Sequence, residues 1–482
     1  MRSGLAYFAA PLLGAIAVGG FHPFEYWFFP LISISAVLFM AQKRVFRDRV
    51  IIFYLYGIGF LGPLLHWSST YVGAVPWIIL TLGFSVFFIL LAFGYSEGHL
   101  LPVAAASAFA VGEGLRAIVP FGGFGWGRFG FSQIEGPFQM WLRIGGVSLT
   151  GFMVALSAAL LATKDRRSFL IVPIILAGIL IINPATAAQD PFDDQETLRI
   201  GLIQGGVSQL GLAFNATPQE VFDRHIAVTE DLLKREQVDL VLWPENASDI
   251  DPLVNESLNT RLNEIAKRSG APLVIGAVTE SGSGPENVSL MFDGSGEEIS
   301  RYQKRDLVPF GEYIPLRSIA SRISSLTDSV RDFVPGNEIV SHSVGGIHFA
   351  PLICYEILDD RVAYDNLERS NLGVVQTNNA TFGRSWQSGQ QFQITRVRAY
   401  ESRIRFVVAA TTGDTAMIDP NGETLEKLTK YDPGSMVVEV SPSKASIPPI
   451  GPEVFLLAAM ILFFFSRIKL NSVITKVTGW VR

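Results

Sequence analysis

The sequence predicts an all-α membrane bundle of eight transmembrane helices joined to a globular α/β domain, and three observations support this fold class. Eight apolar runs, seven before residue 188 and one after residue 446, mostly reach the roughly 17–25 residues that a helix needs to cross a bilayer. Between them, residues 190–445 have the mixed composition of an enzyme and alternate strand-like with helix-like segments. Charged residues make up only 17% of the chain, below the usual level of about 25%, because the apolar runs contain few of them.

The expected domains follow from this composition. Residues 1–187 form a seven-helix domain, residues 190–445 a catalytic domain, residues 447–466 an eighth helix and residues 467–482 a cytoplasmic tail. The predicted spans lie near 4–21, 27–42, 50–68, 75–95, 100–118, 139–162, 168–187 and 447–466. Lysine and arginine cluster after the second span, after the sixth and in the tail, and all three clusters lie on one side if the spans alternate. That side is the cytoplasm, so we expect residues 190–445 outside it and both termini within it.

Local signals predict the elements of the α/β domain. The segment Thr217-Pro218-Gln219-Glu220 has capping-box spacing with proline at the first helical position, which predicts a helix to about Gln237. A second helix is expected near 255–269, ending at Gly270, and others near 359–369 and 387–403. The formal charge of −6, with no basic cluster away from the membrane flanks, gives no indication of nucleic-acid binding.

Cys354, the single cysteine, is the candidate nucleophile. It ends the apolar run GIHFAPLICYE (346–356), which predicts a buried strand that delivers the thiol to its exposed C-terminal end. Two further predicted strands end in ionisable residues, VDLVLWPE at Glu245 and EEISRYQK at Lys304. Glu245 could take the thiol proton and return it to a leaving group, while Lys304 could favour the thiolate and bind an oxyanion. Each residue alone is most simply explained as structural or solvated, and only the ordered set indicates catalysis.

The ordered Glu-Lys-Cys set resembles the nitrilase superfamily, whose four-layer α-β-β-α sandwich uses such a triad. With the eight spans, the whole chain resembles the apolipoprotein N-acyltransferase family. The motifs that carry the resemblance are WPEN (243–246), YQKRDLVPFGEYIP (302–315), CYE (354–356), TNNATFG (377–383), RVRAYESR (396–403), IDPNGE (418–423), EGLR (113–116), FGGFGW (121–126) and FGFSQ (129–133).

The resemblance implies a two-step acyl transfer in the bacterial plasma (inner) membrane, with the catalytic domain periplasmic. Cys354 takes a fatty acyl chain from a membrane phospholipid as a thioester. The free α-amine of the S-diacylglyceryl cysteine of an apolipoprotein then collects it as an amide. Glu245 is the implied base, Lys304 is the implied oxyanion-side cation, and no metal or cofactor is needed.

Further residues are expected near this site. The resemblance implies that Glu312 is an additional essential acid, that Tyr355 and Glu356 support the nucleophile, and that Asn378 lies close by. Residues 306–336 form a long apolar insertion, which predicts a lid or a membrane-contacting segment that would shield the thioester from water.

Four membrane-side residues also stand out. Glu113 and Arg116, spaced i,i+3 near the outer end of the fifth span, form either a structural ion pair or a substrate contact. Phe124 and Trp126, in the Gly/aromatic loop 121–131, belong either to an ordinary aromatic belt or to a lipid entrance.

Two departures from the family and three alternatives remain. The stretch QGGVSQLGLAF (204–214) lacks a tryptophan common there, and Thr381 replaces a common aromatic residue, which leaves lid details and donor preference open. A membrane-anchored nitrilase-type amidase shares the triad, but a small soluble amide requires neither eight spans nor the apolar insertion. A transporter predicts internal symmetry that the sequence lacks. A Cys-His hydrolase would use His225, His342 or His348, none of which has a convincing partner.

Overall fold

The computed structural model describes residues 3–71, 73–97, 99–163, 197–211, 217, 219–322 and 330–466. The seventh predicted span at 168–187, the tail at 467–482 and residues 323–329 of the insertion lie outside the described residues. The described residues divide into an apolar unit, drawn from Met1–His66, Val75–Ala187 and Pro448–Arg482, and an α/β unit, drawn from Trp67–Ala74 and Ala188–Ile447.

The apolar unit has a helix at each predicted span that falls within the described residues. These helices are α1 Ser3–Ala17, α2 Phe28–Ala41, α3 Phe46–Leu64, α4 Ala74–Ser85, α5 Pro102–Arg116 and α6 Leu142–Ala162, with Pro452–Phe465 after the α/β unit. Two helical stretches, Ala74–Phe93 and Gln139–Ala162, are long and apolar enough to cross a membrane, and three shorter ones are apolar as well. The sequence predicted a wholly helical unit, and this was wrong in one place. The chain after α4 forms the antiparallel pair β1 Tyr95–Ser96 and β2 His99–Leu100.

Helices α1 and α3 pack backbone to backbone through glycines. A Cβ atom at Gly14 would lie 2.1 Å from the carbonyl oxygen of Tyr56, and one at Gly59 would lie 2.0 Å from that of Pro11. No larger side chain fits at either position, so this small-residue contact fixes the distance between the two helices. Ser33 of α2 adds a polar contact, because its Oγ donates to the Leu13 carbonyl at 2.6 Å.

Two β-sheets form the core of the α/β unit. Its strands are β3 Leu198–Gln204, β4 Leu240–Leu242, β5 Leu273–Ser281, β6 Gly284–Phe292, β7 Glu298–Gln303, β8 His342–Val344, β9 Ile347–Phe349, β10 Leu352–Ile353, β11 Gly373–Thr377, β12 Phe406–Ala410, β13 Ala416–Ile418, β14 Thr424–Lys427 and β15 Gly434–Val440. One sheet has the order β15-β3-β4-β5-β6-β7 and the other β10-β11-β12-β13-β14, while β8 and β9 form a separate hairpin. Its helices are α7 Glu220–Arg235, α8 Glu256–Ser269, α9 Arg317–Ala320, α10 Asp360–Glu368 and α11 Gln387–Ser402.

The strand directions place the predicted site residues at strand ends that can meet. Strands β4 and β5 are parallel, and β7 runs the same way as β5 after two antiparallel pairings. The carboxyl ends of β4 and β7 therefore share one edge of the six-stranded sheet. Strands β10, β11 and β12 are parallel to one another in the other sheet.

Successive strand residues face opposite sides of the six-stranded sheet, so each of its faces has its own apolar cluster. On one side Trp243 and Val241 pack with Phe222 of α7 and Leu262 of α8. On the other side Leu242 and its neighbours pack with the five-stranded sheet. The predicted end of α8 is confirmed: Asn255 Oδ1 accepts from the Leu258 amide at 3.1 Å, and Gly270 ends the helix with a φ of 62°.

Three local predictions were wrong or incomplete. Residues 346–353 do not form one strand, since Ile347–Phe349 pairs with β8 and Leu352–Ile353 joins the five-stranded sheet. Pro351 lies at the break because proline has no N–H to donate to a ladder. Helix α7 begins at Glu220 after Gln219 adopts a left-handed φ of 66°, so Thr217 does not form the predicted capping box. Strand β14 was missed because all four of its residues are exposed and lack apolar alternation.

Candidate active site

Glu245 lies three residues beyond β4 and is buried, with 4% of its surface exposed. Its Oε1 accepts a hydrogen bond from Asn287 Nδ2 at 2.9 Å, and its Oε2 accepts from the Asn378 backbone N–H at 2.9 Å. Asn287 lies on β6 and Asn378 directly follows β11, so both sheets hold this one carboxylate. Two donors fix the carboxylate and compensate for its loss of hydration.

Lys304 follows β7 and points its ammonium group between two carboxylates. The Nζ atom lies 3.2 Å from Glu245 Oε1 and 2.9 Å from Glu312 Oε1, and the side chain is 1% exposed. Burial lowers the pKa of Lys304, but the charges of Glu245 and Glu312 outweigh it and hold that pKa well above the usual value. Lys304 is therefore a fixed positive charge inside the site.

Glu312, in the insertion, completes a cluster with a net charge of −1. Its Oε1 accepts from Asn287 Nδ2 at 2.8 Å, and its Oε2 accepts from the Val308 backbone N–H at 2.8 Å. The Asn287 amide thus bridges the two glutamates that share Lys304. The insertion is anchored here by backbone contacts as well, since the Phe333 N–H donates to the Glu312 carbonyl at 2.7 Å.

Cys354 directly follows β10 and opens the short 3-10 helix Cys354–Leu358 with a left-handed φ of 51°. The predicted exposed strand end was wrong, because the residue is only 9% exposed. Burial, and then the charge of Glu245, raise the pKa of the thiol to about 12, while Lys304 and the Thr377 hydroxyl act in the opposite direction. At neutral pH the resting thiol is protonated and needs a base before it can attack.

Gln391 of α11 contacts Cys354 directly and was not among the residues predicted from the sequence. Its Nε2 donates to the Cys354 carbonyl at 3.0 Å and lies 3.6 Å from Sγ. Its Oε1 accepts from Asn379 Nδ2 at 2.6 Å and from Thr377 Oγ1 at 3.2 Å. The only signal in the sequence was the run of four polar residues Gln387–Gln391 around one glycine, at the start of a predicted helix.

Glu356 connects the start of the 3-10 helix at Cys354 to the segment around Lys304. Its Oε2 accepts from the Ile353 N–H at 2.8 Å, and its Oε1 accepts from the Arg305 N–H at 2.7 Å and from Tyr302 Oη at 2.8 Å. Burial raises the pKa of this carboxyl to about 7 despite these donors. Tyr355, between Cys354 and Glu356, is half-buried.

The four membrane-side residues lie together in the apolar unit, where Glu113 and Arg116 bind the backbone of the loop 121–131 that contains Phe124 and Trp126. Glu113 Oε1 accepts from the Phe129 N–H at 2.7 Å, and Arg116 Nη1 donates to the carbonyls of Phe124 and Trp126 at 2.8 and 2.5 Å. The two aromatic rings are stacked with 6.3 Å between centroids and are buried, at 9% and 3% exposure. These hydrogen bonds to the loop backbone therefore support a structural role for Glu113 and Arg116.

The histidine alternative finds no support in the contacts of the three rings. His225 Nδ1 lies 2.7 Å from the Val221 carbonyl, the His342 ring lies between Ser289 and Ser300, and His348 Nδ1 lies 2.8 Å from Ser343 Oγ. Within the described residues, no three His, Cys, Asp or Glu side chains are grouped so that they could hold a metal ion.

Comparison with known proteins gives matches to both parts of the chain. The family described as apolipoprotein N-acyltransferase N-terminal domain matches residues 13–160, and that described as carbon-nitrogen hydrolase matches residues 199–446. A protein of Mycolicibacterium smegmatis, named apolipoprotein N-acyltransferase, is 31% identical over 88% of this chain and 79% of its own length. One of the same name from Pseudomonas syringae is 28% identical over 96% and 97%. Among solved structures, a CN-hydrolase superfamily protein of Xanthomonas campestris aligns with a TM-score of 0.40 and 19% identity over 51% of this chain and 91% of its own.

Proposed function

The chain belongs to the apolipoprotein N-acyltransferase family, and from this premise we propose that Cys354, Glu245 and Lys304 carry out its acyl transfer. The protein is an acyltransferase of lipoprotein maturation with a carbon-nitrogen hydrolase domain. One observation supports the residue assignment most directly: Lys304 contacts both Glu245 and Glu312. The charges of all three residues act on the pKa of the Cys354 thiol.

In the first step the substrate is a phospholipid ester. Glu245 takes the proton of the Cys354 thiol, and the thiolate attacks the ester carbonyl carbon. Lys304 stabilises the negative oxygen of the tetrahedral intermediate, because its ammonium is fixed in a site of low dielectric. Glu245 then returns the proton to the departing alkoxide, so that a lysophospholipid leaves and the acyl group remains as a thioester.

In the second step the α-amine of an S-diacylglyceryl cysteine attacks the thioester. Glu245 accepts the proton that the amine loses and passes it to the thiolate of Cys354, which leaves as the C–S bond breaks. The product is an N-acylated lipoprotein with an amide bond. Glu245 ends each step in the protonation state in which it began.

The insertion is proposed to keep water from the thioester. Its two described arms are tied to each other and to the site: the Ile314 N–H donates to Asp332 Oδ1 at 3.0 Å, and the Gly336 N–H donates to the Lys304 carbonyl at 2.8 Å. These contacts hold residues on both sides of the insertion next to the catalytic lysine. Exclusion of water favours aminolysis over hydrolysis of the acyl-enzyme.

We also infer a four-layer α-β-β-α sandwich and a membrane arrangement with eight spans. Parallel strands β10, β11 and β12 are connected through α10 and α11, and one face of their sheet is already filled by the six-stranded sheet. The two helices then belong on the other face. The apolar helices and the distribution of lysine and arginine support seven spans before the α/β unit, one after it, and both termini in the cytoplasm.

The test of this function uses purified protein and a phospholipid labelled in its acyl chain. We expect a covalent label on the wild type that hydroxylamine removes and that Cys354→Ala lacks. Addition of a diacylated lipopeptide should move the label to its N-terminus, which an amidase would not do. Absence of a hydroxylamine-sensitive adduct on folded wild type would refute the thioester route.

A further inference from the structure

A short segment from outside the carbon-nitrogen hydrolase match packs within the α/β unit. Residues Trp67–Ala74 run from the turn after α3 to the first residue of α4, yet they group with the α/β unit. The Trp67 indole Nε1 donates to Gln390 Oε1 at 3.1 Å, and both side chains are buried. The same indole makes an edge-to-face contact with Phe382, with 5.2 Å between centroids.

A second residue of this segment fixes its position. The Tyr71 ring lies between two glycines with left-handed backbone: a Cβ atom at Gly211 would lie 2.8 Å from the ring, and one at Gly383 would lie 2.6 Å from its hydroxyl. The Gly211 N–H donates to the Ala380 carbonyl at 2.9 Å, which links the two walls of this slot. Trp67 and Tyr71 therefore hold the turn 380–390 at two points.

The contact made by Trp67 is one residue away from the side chain that touches the nucleophile. Gln390 and Gln391 are consecutive in the first turns of α11, and Gln391 Nε2 donates to the Cys354 carbonyl and approaches its sulfur. Cys354 has a left-handed backbone that needs support from its surroundings. A small rotation of the start of α11 would change the 3.6 Å contact between Gln391 Nε2 and Sγ.

We propose that Trp67 is a positioning residue for the reaction: through Gln390 it sets the register of α11, and thereby the contact of Gln391 with Cys354. The inference rests on the proposed function in one respect, that Cys354 is the reacting group. The proposed acyl-transfer site then depends on a residue outside 199–446, because Trp67 of the N-terminal part holds Gln390 in position.

The test compares full-length Trp67→Phe and Gln390→Met with wild type in two assays. Trp67→Phe keeps an aromatic ring and removes the N–H, and Gln390→Met keeps the length and removes the acceptor. Single-turnover formation of the acyl-enzyme from labelled phospholipid should slow roughly tenfold in each variant, since a shift well below 1 Å is involved. The phospholipid concentration that gives half of the maximal rate should change little. Alkylation of Cys354 by iodoacetamide should show an altered pH profile in both.

Two controls make the result decisive. Trp77→Phe removes a comparable indole hydrogen bond, to the Gly62 carbonyl at 2.7 Å, and should leave both assays at wild-type values. The double variant Trp67→Phe/Gln390→Met should be no slower than the slower of the two single variants, because both substitutions remove the hydrogen bond between Trp67 and Gln390. If Trp67→Phe fails to accumulate as folded protein, Gln390→Met carries the test alone.

The outcomes separate the two claims. Wild-type alkylation and acylation kinetics in folded Trp67→Phe, or in Gln390→Met where it is tested alone, would overturn the positioning role, as would effects that add in the double variant. A wild type that is never acylated by phospholipid, while the variants still alter alkylation of Cys354, would overturn the proposed function and leave the coupling of Trp67 to the thiol in place.

Discussion

The ammonium of Lys304 lies closer to Glu312 than to Glu245, at 2.9 Å against 3.2 Å. The second carboxylate is thus a direct partner of Lys304, the proposed oxyanion-side cation, although it is carried by the insertion. It balances the buried ammonium and shares the Asn287 amide with Glu245. Two carboxylates around one lysine allow Glu245 to accept a proton while Lys304 keeps a charged partner.

Glu312→Gln should therefore slow acyl-enzyme formation by about 10²-fold, because the lysine loses its nearer anion and moves relative to Glu245. Single-turnover labelling with phospholipid measures this rate. Glu280→Gln is the matched control, because Glu280 is an exposed partner of Arg331 on the surface. Equal rates in Glu312→Gln and wild type would show that Glu312 serves only to anchor the insertion.

Glu245→Gln should change two properties of Cys354 in opposite directions. Burial is the main reason for the raised pKa of the thiol, and the charge of Glu245 raises it further; the variant lacks that charge, while Lys304 and Thr377 still favour the thiolate. Alkylation by iodoacetamide at pH 9 should become faster, because more of the thiol is ionised below its wild-type pKa of about 12. Acyl-enzyme formation should fall by about 10²–10⁴-fold, since the general base is gone. Slower alkylation in this variant would contradict the electrostatic account.

Glu356→Gln should have two effects on the free energy of unfolding: it should lower this free energy, and it should remove part of its dependence on pH. The folded-state pKa of Glu356 is raised from 4.5 to about 7, so between these values the folded protein binds more protons than the unfolded chain. Its contribution to stability is full below pH 4.5 and is lost as pH rises towards 7.

Thermal unfolding from pH 5 to 8 measures this slope, which we expect to be smaller in Glu356→Gln. At least one of the donors Ile353, Arg305 and Tyr302 would face the new amide NH₂, at a cost of about 1–3 kcal/mol in the free energy of unfolding. Tyr302→Phe, which removes one donor and keeps the carboxyl, should retain the slope. An unchanged slope in Glu356→Gln would assign it to another group.

Arg116→Met should distinguish a structural from a substrate-binding role for the residue. The change leaves the carbonyls of Phe124 and Trp126 without this donor, which should lower the free energy of unfolding by about 2–6 kcal/mol. Thermal unfolding in detergent measures the effect, with the exposed Arg235→Lys as control. A raised KM for phospholipid with unchanged unfolding would instead indicate a substrate contact.

The membrane arrangement can be tested with reporter cysteines, because the chain has only one cysteine of its own. In a Cys354→Ala background, Ser283→Cys in the exposed turn between β5 and β6 should react with an impermeant maleimide on intact cells. Lys43→Cys, exposed after α2, should react only after permeabilisation. Reaction of Lys43→Cys from outside would reverse the proposed orientation.

The strand-end residues could be predicted from the sequence because each ends a distinct apolar run. Glu245 and Lys304 follow β4 and β7 as expected, and the elements near 255–270 and 298–303 match closely. The break at Pro351 was visible as a proline, but the length of the surrounding apolar run favoured one strand.

The remaining parts of the site depend on contacts that no local pattern contains. Gln391 reaches Cys354 from 37 residues away, and Trp67 reaches Gln390 from 323 residues away. Asn287 looks like an ordinary polar residue of a strand, and its bridge between two glutamates exists only once β6 and β7 pair. Such residues are specified by tertiary packing rather than by periodicity.

The left-handed backbone of Cys354 also restricts which atoms can serve as nucleophile at this turn. Cysteine and serine have unbranched Cβ atoms and fit the turn, whereas a threonine would press its methyl group against the neighbouring peptide. Of the two aliphatic hydroxyl residues, serine but not threonine could therefore replace the cysteine here without strain. A secondary alcohol would disturb the geometry of the chain before its reactivity could be compared.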